Sequence, residues 1–256
     1  MTDAIAIIPA RGGSKRLPRK NILSVNGRPL IAYTIEAALT SACFARVIVS
    51  TEDDEIAAVA GAAGAEVHSR DGRLASDTAT VVEVCCEVLG RPDVKSRMPL
   101  RFACLLATAA LRTADDIRNA AAMLVPSRCD FVMAVTEYEK SPLQALVEQS
   151  DGSLRLMWPD LIDLPRTEAP KLVVDNGSIY WCRTEAFLAE RTFYGRSLQG
   201  YRMPRERSVD VDTATDLALL VHYLEERNVP SMTHPSLDPD ERSGRGADAG
   251  RPVPAM

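Results

Sequence analysis

Between Pro9 and Asn21 the chain reads Pro-Ala-Arg-Gly-Gly-Ser-Lys-Arg-Leu-Pro-Arg-Lys-Asn, so Arg11, Lys15, Arg16, Arg19 and Lys20 crowd around the adjacent glycines Gly12 and Gly13. Glycine lets backbone N–H groups come close to an anion, and lysine and arginine neutralise it. The chemistry that suits this spacing is polyphosphate binding. The segment has neither the G-x-x-x-x-G-K-[ST] spacing of a P-loop nor the G-x-G-x-x-G of a dinucleotide loop. A solvated basic loop with a tight turn is the plain alternative. Five cations placed together in an otherwise acidic chain argue against it.

A second group is Asp210-Val211-Asp212. Read as a short strand over Val209–Val211, its alternation points both carboxylates to one face, where they can share a hard cation. Mg²⁺ takes carboxylate and phosphate oxygens together and so matches the basic loop. The alternative, open at this point, is that Asp212 caps the helix beginning at Thr213 while Asp210 lies exposed.

The elements that must position these groups alternate in type. Ile5–Pro9, Arg46–Thr51, Ala65–His68, Phe102–Ala107 and Phe131–Val135 are apolar runs of strand length. Between them Pro29–Leu39, Asp53–Ala63, Thr78–Leu89 and Thr113–Leu124 carry helical periodicity, the second with Gly64 as its C′ residue. This predicts an α/β fold with a mostly parallel sheet. The basic loop follows the first strand, at the carboxyl edge where such sheets bind ligands. After Thr136 the pattern changes: Gln144–Glu148 and Ser153–Trp158 flank an Asp151-Gly152 turn and predict an antiparallel hairpin arm within residues 137–175. Ser178–Trp181 resumes a strand, and Thr213–Arg227 predicts a last amphipathic helix. One domain over 1–230 is expected, followed by a polar tail, 231–256, whose composition predicts disorder.

Composition narrows the function. The 256 residues carry 30 basic and 35 acidic side chains, net charge −5, which offers no footprint for nucleic acid or an anionic membrane surface. No apolar run reaches membrane-spanning length, and the start is too short for a signal peptide, so a cytoplasmic protein is expected. The six cysteines include no C-x-x-C pair and read as incidental thiols; the three histidines are too scattered to suggest a metal or a catalytic pair.

The stretch Ile7–Asn21 resembles the opening of the acylneuraminate (CMP-sialic acid) cytidylyltransferases. The likeness continues through Gly27–Ile35, Val49–Asp53, Arg70 with Leu74–Asp77, Asn176-Gly177 with Tyr180, and Asp210–Thr213. It implies a Rossmann-like nucleotidyltransferase with a hairpin dimerisation arm, hence a homodimer, that joins CTP to a nine-carbon 2-keto sugar acid and releases pyrophosphate. It also implies that Arg11, Lys15 and Lys20 act on the triphosphate, that Asn21 lies near ribose and phosphates in the loop with Gly12, Gly13 and Ser14, and that Asp210 and Asp212 hold Mg²⁺. Cytosine selection would fall to the backbone at Ala10 and to the Arg70–Asp77 segment.

For the acceptor, Asn176, Gly177 and Tyr180 would line the sugar site, and its carboxylate calls for a cation, for which Lys140, Arg166 and Lys171 are the candidates. Strand alternation lets only one of Tyr180 and Trp181 face that site. Where sialic-acid members have a Gln-Pro-Thr-Ser-Pro-Leu-Arg-like stretch, this chain has Ala107-Thr108-Ala109-Ala110-Leu111-Arg112, whose Ala-Thr-Ala start is more similar to pseudaminic acid cytidylyltransferases, although those usually continue with Pro where Ala110 stands, and Asp175-Asn176-Gly177-Ser178 is closer to the sialic and legionaminic pattern. N-acetylneuraminate, legionaminate or a specialised acceptor such as a phosphonate stay open, as does a catalytically silent, nucleotide-binding regulatory protein.

Overall fold

The computed structural model describes residues 3–165 and 167–228. In chain order the strands are β1 (Ala4–Pro9), β2 (Ser24–Val25), β3 (Arg28–Pro29), β4 (Arg46–Thr51), β5 (Glu66–Ser69), β6 (Arg101–Leu105), β7 (Phe131–Glu137), β8 (Leu146–Glu148), β9 (Leu154–Leu156), β10 (Val173–Arg183) and β11 (Leu198–Arg202). The helices are α1 (Leu30–Ser41), α2 (Asp54–Ala62), α3 (Val81–Gly90), α4 (Pro92–Lys95), α5 (Ala114–Met123), α6 (Thr184–Glu190) and α7 (Ala214–Asn228).

Seven strands form the central sheet in the order β11-β7-β10-β6-β1-β4-β5. Four of its six neighbour pairs are parallel, and only β10 runs against its neighbours. Strands apolar on both faces need cover on both faces. One side packs Ile8, Val49, Leu105 and Trp181 against Ile31, Ile35, Ile56 and Ile117 of α1, α2 and α5. The other packs Ile7, Phe102 and Cys104 against Cys85, Val88 and Phe187 of α3 and α6. Helix α7 closes a third cluster on Val25, Leu30 and Leu111 through Leu220 and Leu224.

Local signals set several boundaries. Asp53 caps α2 by accepting from Glu55 and Ile56, and reciprocal capping boxes start α3 at Thr80/Glu83 and α5 at Thr113/Asp116. Gly64, at φ 91°, follows the end of α2. The hairpin β8–β9 pairs Leu146 with Leu156, and Gly152 takes φ 81° in its turn.

The structure corrects three sequence expectations. Val209–Val211 is not a strand; it is extended chain held to the sheet edge by the Val211 N–H on the Thr108 carbonyl at 3.3 Å. Helix α3 begins at Val81 rather than Thr78, because Thr80 is its cap. Strand β10 runs eleven residues, and β11 and α6 had no counterpart in the expected element order. The tail, 231–256, lies outside the described residues. Among the described residues no helix is long and apolar enough to cross a membrane.

Candidate active site

Strands β1, β4 and β6 end at one edge, and the loops that follow them wall a cavity of about 490 Å³. Arg11, Ser14, Lys15, Arg16, Lys20 and Asn21 come from the basic loop; Arg70, Ser76 and Asp77 come from the segment after β5; Ala107, Thr108 and Asp212 complete it. Four of the five loop cations therefore face one space. The fifth, Arg19, turns away in a left-handed conformation (φ 58°) and clasps Asp53 and Glu55 at the start of α2.

The loop is held from below by groups that local spacing did not single out. Glu52, just past β4, accepts the Gly12 N–H at 2.7 Å and the Arg70 guanidinium at 2.8 and 3.0 Å. Burial alone would raise the Glu52 carboxyl, but these donors outweigh it and hold it below its ordinary value. The Gly12 N–H thus points at Glu52 rather than into the cavity, and a Cβ there would overlap the Asp53 carboxylate. Close packing, not anion contact, is what Gly12 serves; Gly13 has open space beside it. Asn21 is buried and donates to the Arg11 carbonyl at 2.9 Å, and Ala10 is buried with its N–H on Ser50. Arg70 lines the cavity with its head group paired to Glu52.

The cations meet two carboxylates across the cavity. Asp77 takes Arg11 at 3.1 Å and Lys15 at 2.5 Å; Asp212 takes Arg16 at 2.6 Å and Lys20 at 2.7 Å. Lys15 and Arg11 hold Asp77 below the usual carboxylate range. Burial pushes Asp212 up, and Lys20 and Arg16 more than offset it. Helix capping does not occupy Asp212: Thr213 and Asp216 cap α7 reciprocally, at 2.8 and 3.3 Å, so the Asp212 side chain is free for the loop.

A second cavity, about 360 Å³, lies on the other side of Leu106, which lines both. Thr136, Asp175, Asn176, Gly177, Tyr180, Ser208 and Asp210 surround it. Asp210 and Asp212 thus face two adjoining cavities, not one face of a strand. Burial raises the Asp210 carboxyl above its ordinary value, with Asp212 adding to the effect, and its Oδ1 is buried without a hydrogen-bond partner. An orphaned hard oxygen beside a phosphate-type cavity is a fit for Mg²⁺, to which Asp210 and Asp212 would contribute and which takes water and phosphate oxygens besides.

Beneath the shared wall Arg112 is fully buried and donates to Thr34 Oγ1 (2.6 Å), the Leu106 carbonyl (2.9 Å) and Ser178. Burial lowers its pKa to about 10.

Tyr180 lines the smaller cavity while Trp181 is buried on the opposite face with its indole N–H on the Ile117 carbonyl, as alternation requires. Asn176 is buried and Gly177 approaches Asp210 so closely that a Cβ would sit 3.0 Å from its Oδ2. Lys140 and Lys171 are exposed, and the structure brings neither of these two carboxylate-partner candidates to either cavity. Arg166 lies outside the described residues.

A cationic edge beside a smaller cavity, on a three-layer α/β scaffold, suits a nucleotidyltransferase. The model of the cytidylyltransferase family matches residues 5–229, and the chain belongs to that family. Among curated relatives, it is 34% identical to the pseudaminic acid cytidylyltransferase of Campylobacter jejuni subsp. jejuni serotype O:2, over 83% of this chain and 92% of that one. It is 33% identical to the CMP-N,N'-diacetyllegionaminic acid synthase of Legionella pneumophila, over 86% and 96%. It is 35% identical to the N-acylneuraminate cytidylyltransferase of Escherichia coli O18:K1:H7, covering 89% of this chain but only 53% of that longer protein. The fold is shared with the solved CMP:2-keto-3-deoxy-manno-octonic acid synthetase complexed with CTP, at TM-score 0.65 and 19% identity over 88% of this chain and 99% of that one.

Proposed function

We propose that the chain transfers CMP from CTP to the anomeric hydroxyl of a nonulosonic acid of the pseudaminic class. The observation that carries this is the Asp210-Val211-Asp212 segment, whose two carboxylates face a cationic 490 Å³ cavity and an adjoining 360 Å³ one. The triphosphate lies in the first, where Arg11, Lys15, Arg16 and Lys20 replace their carboxylate partners with phosphate oxygens. The sugar acid lies in the second, with its hydroxyl directed past Leu106 at the α-phosphorus. The new oxygen–phosphorus bond forms as the bond to the β-phosphate breaks, the hydroxyl proton passes to solvent, and the loop cations hold the departing pyrophosphate. Asp210 and Asp212 would hold Mg²⁺, which when bound would supply neutralisation of phosphate charge. The CTP requirement fits a cytoplasmic enzyme.

The relatives that act on pseudaminic, N-acylneuraminic and diacetyllegionaminic acids align at similar identity. The Ala107-Thr108-Ala109 start favours pseudaminic acid for this chain, whereas Asp175-Asn176-Gly177-Ser178 is closer to the sialic and legionaminic pattern. The arm exposes Leu146, Leu154, Met157 and Trp158, an apolar surface suited to burial in a homodimer. Pyrophosphate release from CTP and Mg²⁺, measured with pseudaminic, legionaminic, N-acetylneuraminic and 2-keto-3-deoxy-octonic acids, tests the proposal. Turnover with pseudaminic acid is expected. Silence with all four while CTP still binds would favour a specialised acceptor or a regulatory nucleotide binder.

A further inference from the structure

In an unbroken strand, residues five apart point to opposite faces of the sheet. In β10 the register slips between Asp175 and Tyr180, Gly177 takes φ 67°, and the Gly177 N–H closes a turn on Asp175 Oδ1 at 2.9 Å. This bulge brings the two side chains together. The Tyr180 hydroxyl lies 3.0 and 2.9 Å from the two carboxylate oxygens, and the Tyr194 hydroxyl, from beyond α6, lies 2.8 Å from Oδ2. Phe193 packs on the Tyr180 ring, with centroids 4.8 Å apart, and fixes its plane.

A carboxylate accepts hydrogen bonds and donates none, so both phenol protons are committed to Asp175. What the phenol oxygens have left to offer is lone pairs. The rest of the wall is arranged alike: Asn176 gives its amide hydrogens to Ser208 Oγ (2.9 Å) and Met203 Sδ (3.4 Å), and Ser208 gives its own to the Pro204 carbonyl (2.8 Å). Asp210 can only accept. Among the described polar side chains of the cavity, Thr136 alone has an uncommitted hydroxyl.

We infer that Asp175 is a positioning residue for acceptor choice: by holding the proton of Tyr180, the phenol that lines the sugar cavity, it makes that cavity a reader of N–H and O–H donors. The inference rests on the assignment of that cavity to the acceptor. An acid carrying amide N–H or hydroxyl groups satisfies the wall, whereas an isostere lacking one leaves a phenol oxygen unpaired.

The test is steady-state kinetics with pseudaminic acid and two sets of analogues, one with an acetamido nitrogen replaced by an ester oxygen, the other with a single hydroxyl deleted. The wild type is expected to disfavour at least one analogue by about tenfold or more in kcat/KM. In Asp175→Asn the amide can donate to the phenol oxygens and release their protons. The acceptor KM should then rise about tenfold, the CTP KM stay within about twofold, and the analogue discrimination fall to about threefold or less. Unchanged discrimination in Asp175→Asn, or CTP and acceptor KM rising together, overturns the inference alone. A wild type that binds CTP but turns over no acid overturns the proposed function and the inference with it.

Discussion

At the scale of single residues, charge placement separates the groups that act from those that hold them. Asp212 faces Lys20 and Arg16 and is not needed as a cap, because Thr213 and Asp216 do that work. Asp212→Asn should therefore abolish Mg²⁺-dependent pyrophosphate release while the melting temperature stays within a few degrees of wild type; normal turnover would remove Asp212 from the mechanism. Glu52 has the opposite profile. Its removal leaves Arg70, 3% exposed at its side chain, without a counter-charge and the Gly12 N–H without a partner. Glu52→Ala should cost about 2–3 kcal/mol in a denaturant titration and raise the CTP KM.

The same carboxylates give a pH signature. Glu52 is held below its ordinary 4.5 and Asp116, buried and bonded to Arg207, below its ordinary 3.8. For Asp116, burial raises the carboxyl and the Arg207, Thr113 and Tyr201 donors outweigh it. Since the folded values are the lower ones, the unfolded chain takes up protons first as pH falls. The stability from these pairs is complete above about pH 4.5 and is lost as pH falls through the folded values. Melting followed from pH 7 to 3 should show this decline, and it should be shallower in Glu52→Gln; an unchanged slope would exclude Glu52 as a contributor.

At the scale of elements, one irregular strand, β10, does most to shape the smaller cavity. The β10 bulge needs Gly177 for two reasons: its φ of 67° and the carboxylate of Asp210 against its Cα. Gly177→Ala should destabilise the protein by about 1–2 kcal/mol and raise the acceptor KM more than the CTP KM. Equal effects on both substrates would mean the bulge serves stability only. The register slip is invisible to an alternation pattern, which finds Ser178–Trp181 and stops. For the same reason β11 and α6 went unread: Leu198–Arg202 is half exposed and pairs in parallel with β7 across the sheet edge, a long-range contact with no local period of its own.

At the scale of the whole molecule, the arm leaves apolar side chains uncovered in its own chain. Leu154 is 62% exposed and Leu146 53%, high values for leucine in paired strands. Trp158→Asp, or replacement of residues 146–156 by a short Gly-Ser turn, should halve the mass seen by sedimentation velocity if the arm seals a homodimer. A wild type that sediments as a monomer would instead leave this surface without a partner copy.

Residue types and short-range periods were enough to determine the alternating α/β order, the edge that carries the basic loop, the cap of α2 and the hairpin turn, since each depends on neighbours within a few positions. Tertiary structure alone decided that Glu52 anchors the loop, that Arg19 faces away from the cavity, that Asp210 and Asp212 face different cavities, and that Asp175 meets Tyr180 and Tyr194. These depend on strand order, register and a bulge, which are set by packing between segments tens of residues apart and leave no periodic trace along the chain.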